Sequence, residues 1–236
     1  MIILVTGSSG FVASDLIPKI NDKVNCIGID STPGKYTSIT DDISNFRDHR
    51  KKIESDTFSI INLASIRSDF GISAKKYFEK NVTNHSKFLN ELETINKKKF
   101  IHISSVAAFD GKDILFSEEL NCDDAYRSTK FLQEKLILKW CIDRKVDLFI
   151  LYPSAIFSIN SNLDTNIGKL QTVSKLFPIV PEINVIKTLS FLPNISKFIS
   201  DSLFGDILPG KYLSIDEPSL TVTKIIQGIS SKNLKL

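Results

Sequence analysis

The chain has 236 residues, 42% hydrophobic and 24% charged, with a formal net charge of +3. A high apolar fraction with so small a charge excludes an intrinsically disordered chain, and 10 Gly with 8 Pro exclude a collagen-like one. Scattered lysines, densest at Lys97-Lys98-Lys99, argue against nucleic acid as a partner; no uncharged apolar run approaches the roughly 18 residues of a membrane helix.

In chain order, short β-branched runs alternate with amphipathic stretches, the pattern of a parallel sheet covered by helices. Ile2 to Thr6 predicts a first strand, followed by a Gly-containing turn and a helix from Phe11 to about Ile20 that holds Pro18. Strands follow at Val24 to Ile29 and around Ser38 to Thr40, then a polar helix from Ser44 to about Glu54. Phe58 to Leu63 is mostly apolar, as a strand buried on both faces should be. A long helix is expected from Ser73 to Ile95, with Phe78, Val82, His85, Phe88, Leu89 and Leu92 on one face. Phe100 to Ser104 and Val146 to Leu151 read as strands flanking a helix from Asp124 to Arg144. After Pro153 the rhythm weakens to a helix at Thr165 to Leu176, an extended piece between Pro178 and Pro181, a helix at Ile195 to Leu203, a strand at Tyr212 to Ile215 and a helix at Thr221 to Ile229. The pattern predicts an α/β fold: a Rossmann-type doubly wound parallel sheet over residues 1–155, with a small carboxy-terminal α/β lobe over 156–236 partly interleaved with it. Cys26, Cys122 and Cys141 are odd in number and far apart, and no two of His49, His85 and His102 have metal-ligand spacing. No metal and reduced thiols are therefore expected, as in a cytoplasmic protein. The opening Ile2-Ile3-Leu4-Val5 is too short an apolar run for a secretory signal.

The segment Val5-Thr6-Gly7-Ser8-Ser9-Gly10-Phe11-Val12-Ala13 joins the first strand to the first helix. Gly7 can take backbone angles closed to other residues, and Gly10 lets the chain approach a pyrophosphate closely. Ala13 lets the helix pack near the strand, while the backbone through Ser9, Phe11 and Val12 offers N–H groups and a positive dipole end to phosphate oxygens. Asp30 closes the second strand, where a carboxylate accepts from an adenosine ribose. Its charge repels a 2′-phosphate, and no Arg or Lys follows before Lys35. NAD is favoured over NADP.

Tyr126 and Lys130 are spaced i and i+4, so a helix sets a phenol and an ammonium on one side. Beside a lysine and a nicotinamide's positive ring, a tyrosine loses its proton more easily than usual, making it a candidate general acid or base. In isolation the same spacing also fits an exposed tyrosine and a solvated lysine.

The TGxxGxxA turn resembles that of the extended short-chain dehydrogenase/reductase superfamily, in its NAD-dependent epimerase/dehydratase family. The resemblance implies that Asp42-Ile43, otherwise a solvated turn, contacts adenine, and that Leu63-Ala64-Ser65 line the cofactor. Ser104-Ser105 begins a segment similar to the family's SSxxxY, which makes Ser105 the hydroxyl on the reacting oxygen and Ser104, on the cofactor side, more a structural group; Phe109 stands where the family has Tyr. Asn81 matches a helix residue that supports a water chain behind the lysine, its alternative being a surface asparagine. Pro153 matches the Arg-Pro position beside the nicotinamide, with Tyr152 replacing Arg. Lys187 falls where relatives hold a nucleotide-sugar pyrophosphate, though a surface lysine fits equally. Leu192-Pro193-Asn194-Ile195 and Asp216-Glu217-Pro218 resemble elements of nucleotide-sugar 4-epimerases, in a lobe shorter than theirs.

The resemblance implies a NAD-dependent enzyme acting on a nucleoside-diphosphate sugar, with hydride transfer at a sugar carbon, C4 by expectation, as in epimerisation or 4-keto reduction. Tyr126 would move the proton, Ser105 polarise the oxygen and Lys130 lower the tyrosine pKa. Dehydration fits less well, because Val106-Ala107 stand where it would want an acidic pair. The competing reading is a non-catalytic dinucleotide-binding sensor or scaffold. By the same resemblance, the helices Ser73 to Ile95 and Asp124 to Arg144 are candidates for the four-helix seam of a homodimer.

Overall fold

The computed structural model describes residues 2–53, 58–67, 71–92, 97–109, 122–158 and 182–230. Seven strands form one sheet: β1 (Ile2–Thr6), β2 (Asn25–Asp30), β3 (Ile39–Thr40), β4 (Phe58–Asn62), β5 (Lys97–Ile103), β6 (Asp147–Pro153) and β9 (Gly210–Ser214), in the order β3-β2-β1-β4-β5-β6-β9. Every pairing is parallel. The strand order reverses between β1 and β4, and such a switch point opens a crevice at the carboxyl ends of the strands.

Alternation along the buried strands divides the core. Leu4, Ile60 and Phe100 face one side, against Phe46, Phe88, Leu89, Ile137 and Trp140. Ile3, Val5, Ile61 and Ile101 face the other, against Leu16, Ile17, Ile195 and Ile199. The first side is covered by the 3-10 segment Ile43–Ile53, α3 (Asn84–Glu91) and α4 (Cys122–Arg144); the second by α1 (Phe11–Ile20) and α5 (Leu192–Phe204). Successive residues of one strand are thus core on opposite faces, which is why these runs lack polar alternation. Pro18 sits in the last turn of α1, which runs on to Ile20.

Three departures from the sequence expectation bear on the site. The expected single helix from Ser73 is α2 (Ala74–Phe78), a π-helical turn (Glu79–Thr83) and α3. The extra residue of the π turn shifts the helical phase, so Tyr77 and Asn81 are buried while Phe78 is 50% exposed. The polar stretch after β3 is 3-10 rather than α-helical. A second sheet, ordered β10-β8-β7, joins β7 (Ala155–Phe157), β8 (Ile186–Phe191) and β10 (Asp216–Thr221), none of them anticipated. Pro218 lies in β10, an edge strand, where a missing N–H is tolerated. Asn194 Nδ2 donates to Asp216 Oδ1 at 2.6 Å, tying α5 to β10. The expected helix at Thr165 to Leu176 and the piece between Pro178 and Pro181 lie outside the described residues. α6 (Val222–Ser230) ends the described chain. Cys26 and Cys141 are free thiols, and burial pushes them up to about 11 and about 12. Among the described residues no helix is long and apolar enough to cross a membrane.

Candidate active site

Gly7 follows β1 with a φ of +73°, in the left-handed region, and a Cβ there would stand 2.8 Å from the Ala64 backbone nitrogen. Only glycine lets the turn and the segment after β4 approach so closely. A buried chain fixes that approach from below. Thr6 Oγ1 donates to Asn62 Oδ1 at 2.6 Å and accepts the Ala64 N–H at 3.2 Å, while Asn62 Nδ2 donates to His102 Nδ1 at 3.1 Å. Three neighbouring strands thereby hold one wall of a cavity of about 190 Å³, lined by Gly7, Gly10, Asp30, Asp42, Ala64 and Ser65 among others.

Across the cavity, Asp30 accepts the Ser9 N–H at 3.1 Å and the Thr32 N–H at 2.9 Å, one on each oxygen. Each oxygen retains capacity for a second bond. α1 begins at Phe11 with Gly10 as its cap and no side-chain cap bond, so the first-turn N–H groups, those of Phe11 and Val12 included, have no intrahelical acceptors. Asp42 and Ile43 line the same cavity. The Asp42 carboxylate accepts from Ser44 N, Asn84 Nδ2 and Lys80 Nζ, at 2.9, 2.9 and 2.7 Å. Burial works to raise its pKa, but the Lys80 and Ser44 hydrogen bonds override that and hold it below the usual carboxylate value. A glycine cradle, unpaired helix-start N–H groups and two carboxylates with spare acceptor capacity fit an adenine dinucleotide.

A second cluster adjoins the first. Ser65 Oγ and the Ile66 N–H both donate to Asn81 Oδ1, at 3.1 and 2.8 Å, and Asn81 Nδ2 donates to Thr129 Oγ1 at 3.2 Å. The cavity wall is thus joined to α4 between Tyr126 and Lys130. The Ser105 side chain comes near enough to the Tyr126 hydroxyl to act on its pKa. The Tyr77 ring meets that of Tyr126 edge-on at 5.9 Å. Burial raises the Tyr126 pKa, only partly opposed by Ser105. The causes of that shift are burial, Ser105 and Tyr77. The Lys130 amine turns inward: it donates to Gln133 Oε1 at 2.7 Å and to the Ile103 carbonyl at 3.3 Å. Burial brings its pKa down to about 7, against the opposing charge of Glu134. Gln133 Nε2 donates in turn to His85 Nε2 at 2.8 Å. His85 therefore accepts there and donates from Nδ1 to the Lys80 carbonyl at 3.0 Å, as a neutral ring must.

The structure brings the expected residues together unevenly. Gly7, Gly10, Asp30, Asp42, Ile43, Leu63, Ala64 and Ser65 line the cavity; Ser9, Phe11, Val12 and Asn81 adjoin it. Ser105, Tyr126 and Lys130 stand at one end of α4. Ser104 donates its hydroxyl to Glu134 at 3.3 Å, a structural bond. Pro153 is buried at the end of β6. Lys187 is exposed on β8, opposite Leu220, and is not among the residues lining the cavity. Sequence reasoning missed Lys80, Asn84 and Gln133, and took His85 for a core-face residue. Gln133 carried a signal, because it follows Lys130 at i+3.

A profile of the NAD dependent epimerase/dehydratase family matches residues 3–175. The chain belongs to that family. Its cofactor is NAD, as the family's name records. No curated protein sequence matches this family member. Solved structures with the same fold include UDP-glucuronic acid 4-epimerase from Bacillus cereus with UDP-glucuronic acid and NAD, 20% identical, with a TM-score of 0.78 over 97% of this chain and 82% of that one. UDP-glucose 4-epimerase from Thermus thermophilus with NAD is 13% identical, with a TM-score of 0.78 over 98% and 82%. UDP-N-acetylglucosamine 4-epimerase from Bacillus cereus is 16% identical, with a TM-score of 0.76 over 98% and 81%. At these identities the likeness is one of fold.

Proposed function

We propose that this family member is an enzyme that uses NAD to move a hydride at a carbinol carbon of a nucleoside-diphosphate sugar, C4 by preference, as in epimerisation or 4-keto reduction. The observation that carries the reading is the approach of the Ser105 side chain to Tyr126, with Lys130 one α-helical turn further on, beside the cavity lined by Gly7, Gly10, Asp30 and Asp42. Bound NAD supplies the hydride acceptor or donor. Asp30 takes the adenosine ribose hydroxyls, and Asp42 with Ile43 the adenine. The turn through Ser9 to Val12 takes the pyrophosphate, and Leu63 to Ser65 and Pro153 flank the rest. Ser105 donates to the reacting sugar oxygen and Tyr126 gives or takes its proton. Asn81 holds Ser65 and Thr129 in place. Lys130 holds the nicotinamide ribose once its amine leaves Gln133. Lys187 serves the substrate's pyrophosphate from outside the cavity. The 4-epimerases of the same fold support the substrate class. Pairing of two copies through α3 and α4 belongs to the same reading, and sedimentation measures it.

The test is a screen of UDP-sugars and their 4-keto derivatives for a change in nicotinamide absorbance and for sugar epimers by NMR. Turnover abolished in Tyr126→Phe with NAD still bound supports the assignment; undiminished turnover overturns the acid/base role. The inward Lys130 amine favours a second reading, a dinucleotide-binding protein without turnover. That reading prevails if NAD binds and no sugar reacts.

A further inference from the structure

The Asp42 carboxylate has little hydrogen-bonding capacity left. Oδ1 accepts two bonds, from Ser44 N and Asn84 Nδ2, each at 2.9 Å. Oδ2 accepts one, from Lys80 Nζ at 2.7 Å. A carboxylate offers about four acceptor positions, so among the described residues one remains, on Oδ2. Lys80 itself lines the cavity with Asp42, Ile43 and Asn84, its side chain 34% exposed. It sits in the π-helical turn Glu79–Thr83, whose altered phase buries the neighbouring Asn81. The ammonium does two things at once. It keeps the carboxylate ionised, and on Oδ2 it completes the hold that Ser44 N and Asn84 Nδ2 exert on Oδ1, so that the remaining acceptor keeps one direction.

A single, fixed acceptor selects a donor. Adenine presents its 6-amino group as a donor, whereas hypoxanthine has a carbonyl oxygen at that position. Two acceptors facing each other in a partly buried site lose a hydrogen bond and gain repulsion. Without Lys80, Oδ2 loses its cation and escapes that conflict by taking a proton and donating it, or by swinging aside while Ser44 N and Asn84 Nδ2 still hold Oδ1.

We propose that Lys80 is the specificity-determining residue of the cofactor's base pocket: by clamping Asp42 it makes the site accept adenine and reject a 6-oxo purine. The inference rests on the reading of Asp42 as the adenine contact. Lys80 is a positioning residue here, acting through Asp42.

The test is a fluorescence titration with NADH and with reduced nicotinamide hypoxanthine dinucleotide. It uses the wild-type chain, Lys80→Met, Lys80→Arg and Asp42→Asn, each checked for an unchanged melting temperature. The wild type is expected to prefer NADH by about tenfold or more, the worth of one charge-assisted hydrogen bond. Lys80→Met should reduce the preference to within about threefold, and Lys80→Arg should restore it. A Lys80→Met protein that keeps the full preference, or that loses affinity for both dinucleotides equally, overturns the proposal while leaving Asp42 in its role. An Asp42→Asn protein with the full preference overturns the reading of Asp42 itself, and the clamp with it. Wild-type protein that binds neither dinucleotide removes the cofactor assignment on which both stand.

Discussion

Gln133 Oε1 accepts the Lys130 amine at 2.7 Å, with both side chains almost wholly buried. The amide cannot turn over, because its nitrogen is held by the Ala64 carbonyl at 3.2 Å and by His85 Nε2 at 2.8 Å. A directed chain thus runs from a cavity-lining histidine to the lysine of the proposed catalytic group. Among the described residues, Gln133→Leu leaves the amine with only the Ile103 carbonyl. We expect a loss of about 2 kcal/mol in stability, the range for hydrogen bonds to charged groups, measured by urea unfolding at pH 7. An unchanged midpoint would remove the chain from the energetics of the fold.

Lys130→Met tests the same relationship from the other end. Burial pulls the amine down to about 7, so at neutral pH the fold carries a desolvated, partly charged group. Methionine of similar length should raise the melting temperature while abolishing turnover, the exchange expected where function retains a costly group. Lower stability together with full activity would contradict both roles.

The buried histidines set the acid limb of stability. Burial holds His85 at about 4 against an ordinary 6.5, and His102 is likewise lowered. At pH above 6.5 neither the folded nor the unfolded state protonates His85, so it contributes no slope. As pH falls from 6.5 towards 4, the unfolded chain takes a proton that the folded one refuses, and stability drops by up to about 3 kcal/mol for this group. Lys130 adds a slope of the same sign between about pH 7 and its ordinary 10.5. Thermal melts from pH 4.5 to 7.5 should therefore rise steadily, and His85→Gln should flatten the lower part.

Gly7→Ala would force a side chain into positive φ and bring its Cβ to 2.8 Å from the Ala64 nitrogen. Strain and the displaced wall together should cost about 2–4 kcal/mol and weaken NADH binding by more than the loss of fold explains. Retained affinity in the folded fraction would show that the wall is not part of the cofactor site.

Lys145 is the one non-glycine residue with positive φ among the described residues, at 53° after α4. The Val146 N–H reaches back to the Cys141 carbonyl at 3.0 Å, closing the helix. Lys145→Gly relieves the left-handed conformation that glycine adopts freely. The melting temperature should rise, by the equivalent of about 0.5–1 kcal/mol, with NADH affinity unchanged.

Much of the sheet was legible because local signals suffice for it. Ile2 to Thr6, Phe58 to Leu63 and Phe100 to Ser104 are apolar on both faces, and Gly7, Gly10 and Asp30 sit at fixed offsets from β1 and β2. The second sheet was not legible: β8 carries a lysine, β10 a proline, and their pairing joins Asp216 to Leu189 across the chain. The phase shift at Glu79–Thr83 was hidden as well, since no residue type marks a π turn.

The order and spacing of residues alone determined the glycine turn, the acidic end of β2 and the Tyr126–Lys130 pair, since each depends on the geometry of one turn or one helix. Which way the Lys130 amine points, and that Lys80 meets Asp42 from 38 positions away, were decided only by tertiary structure. A long side chain takes the partner that packing brings within reach of its charge, and its own neighbours in sequence do not specify that partner.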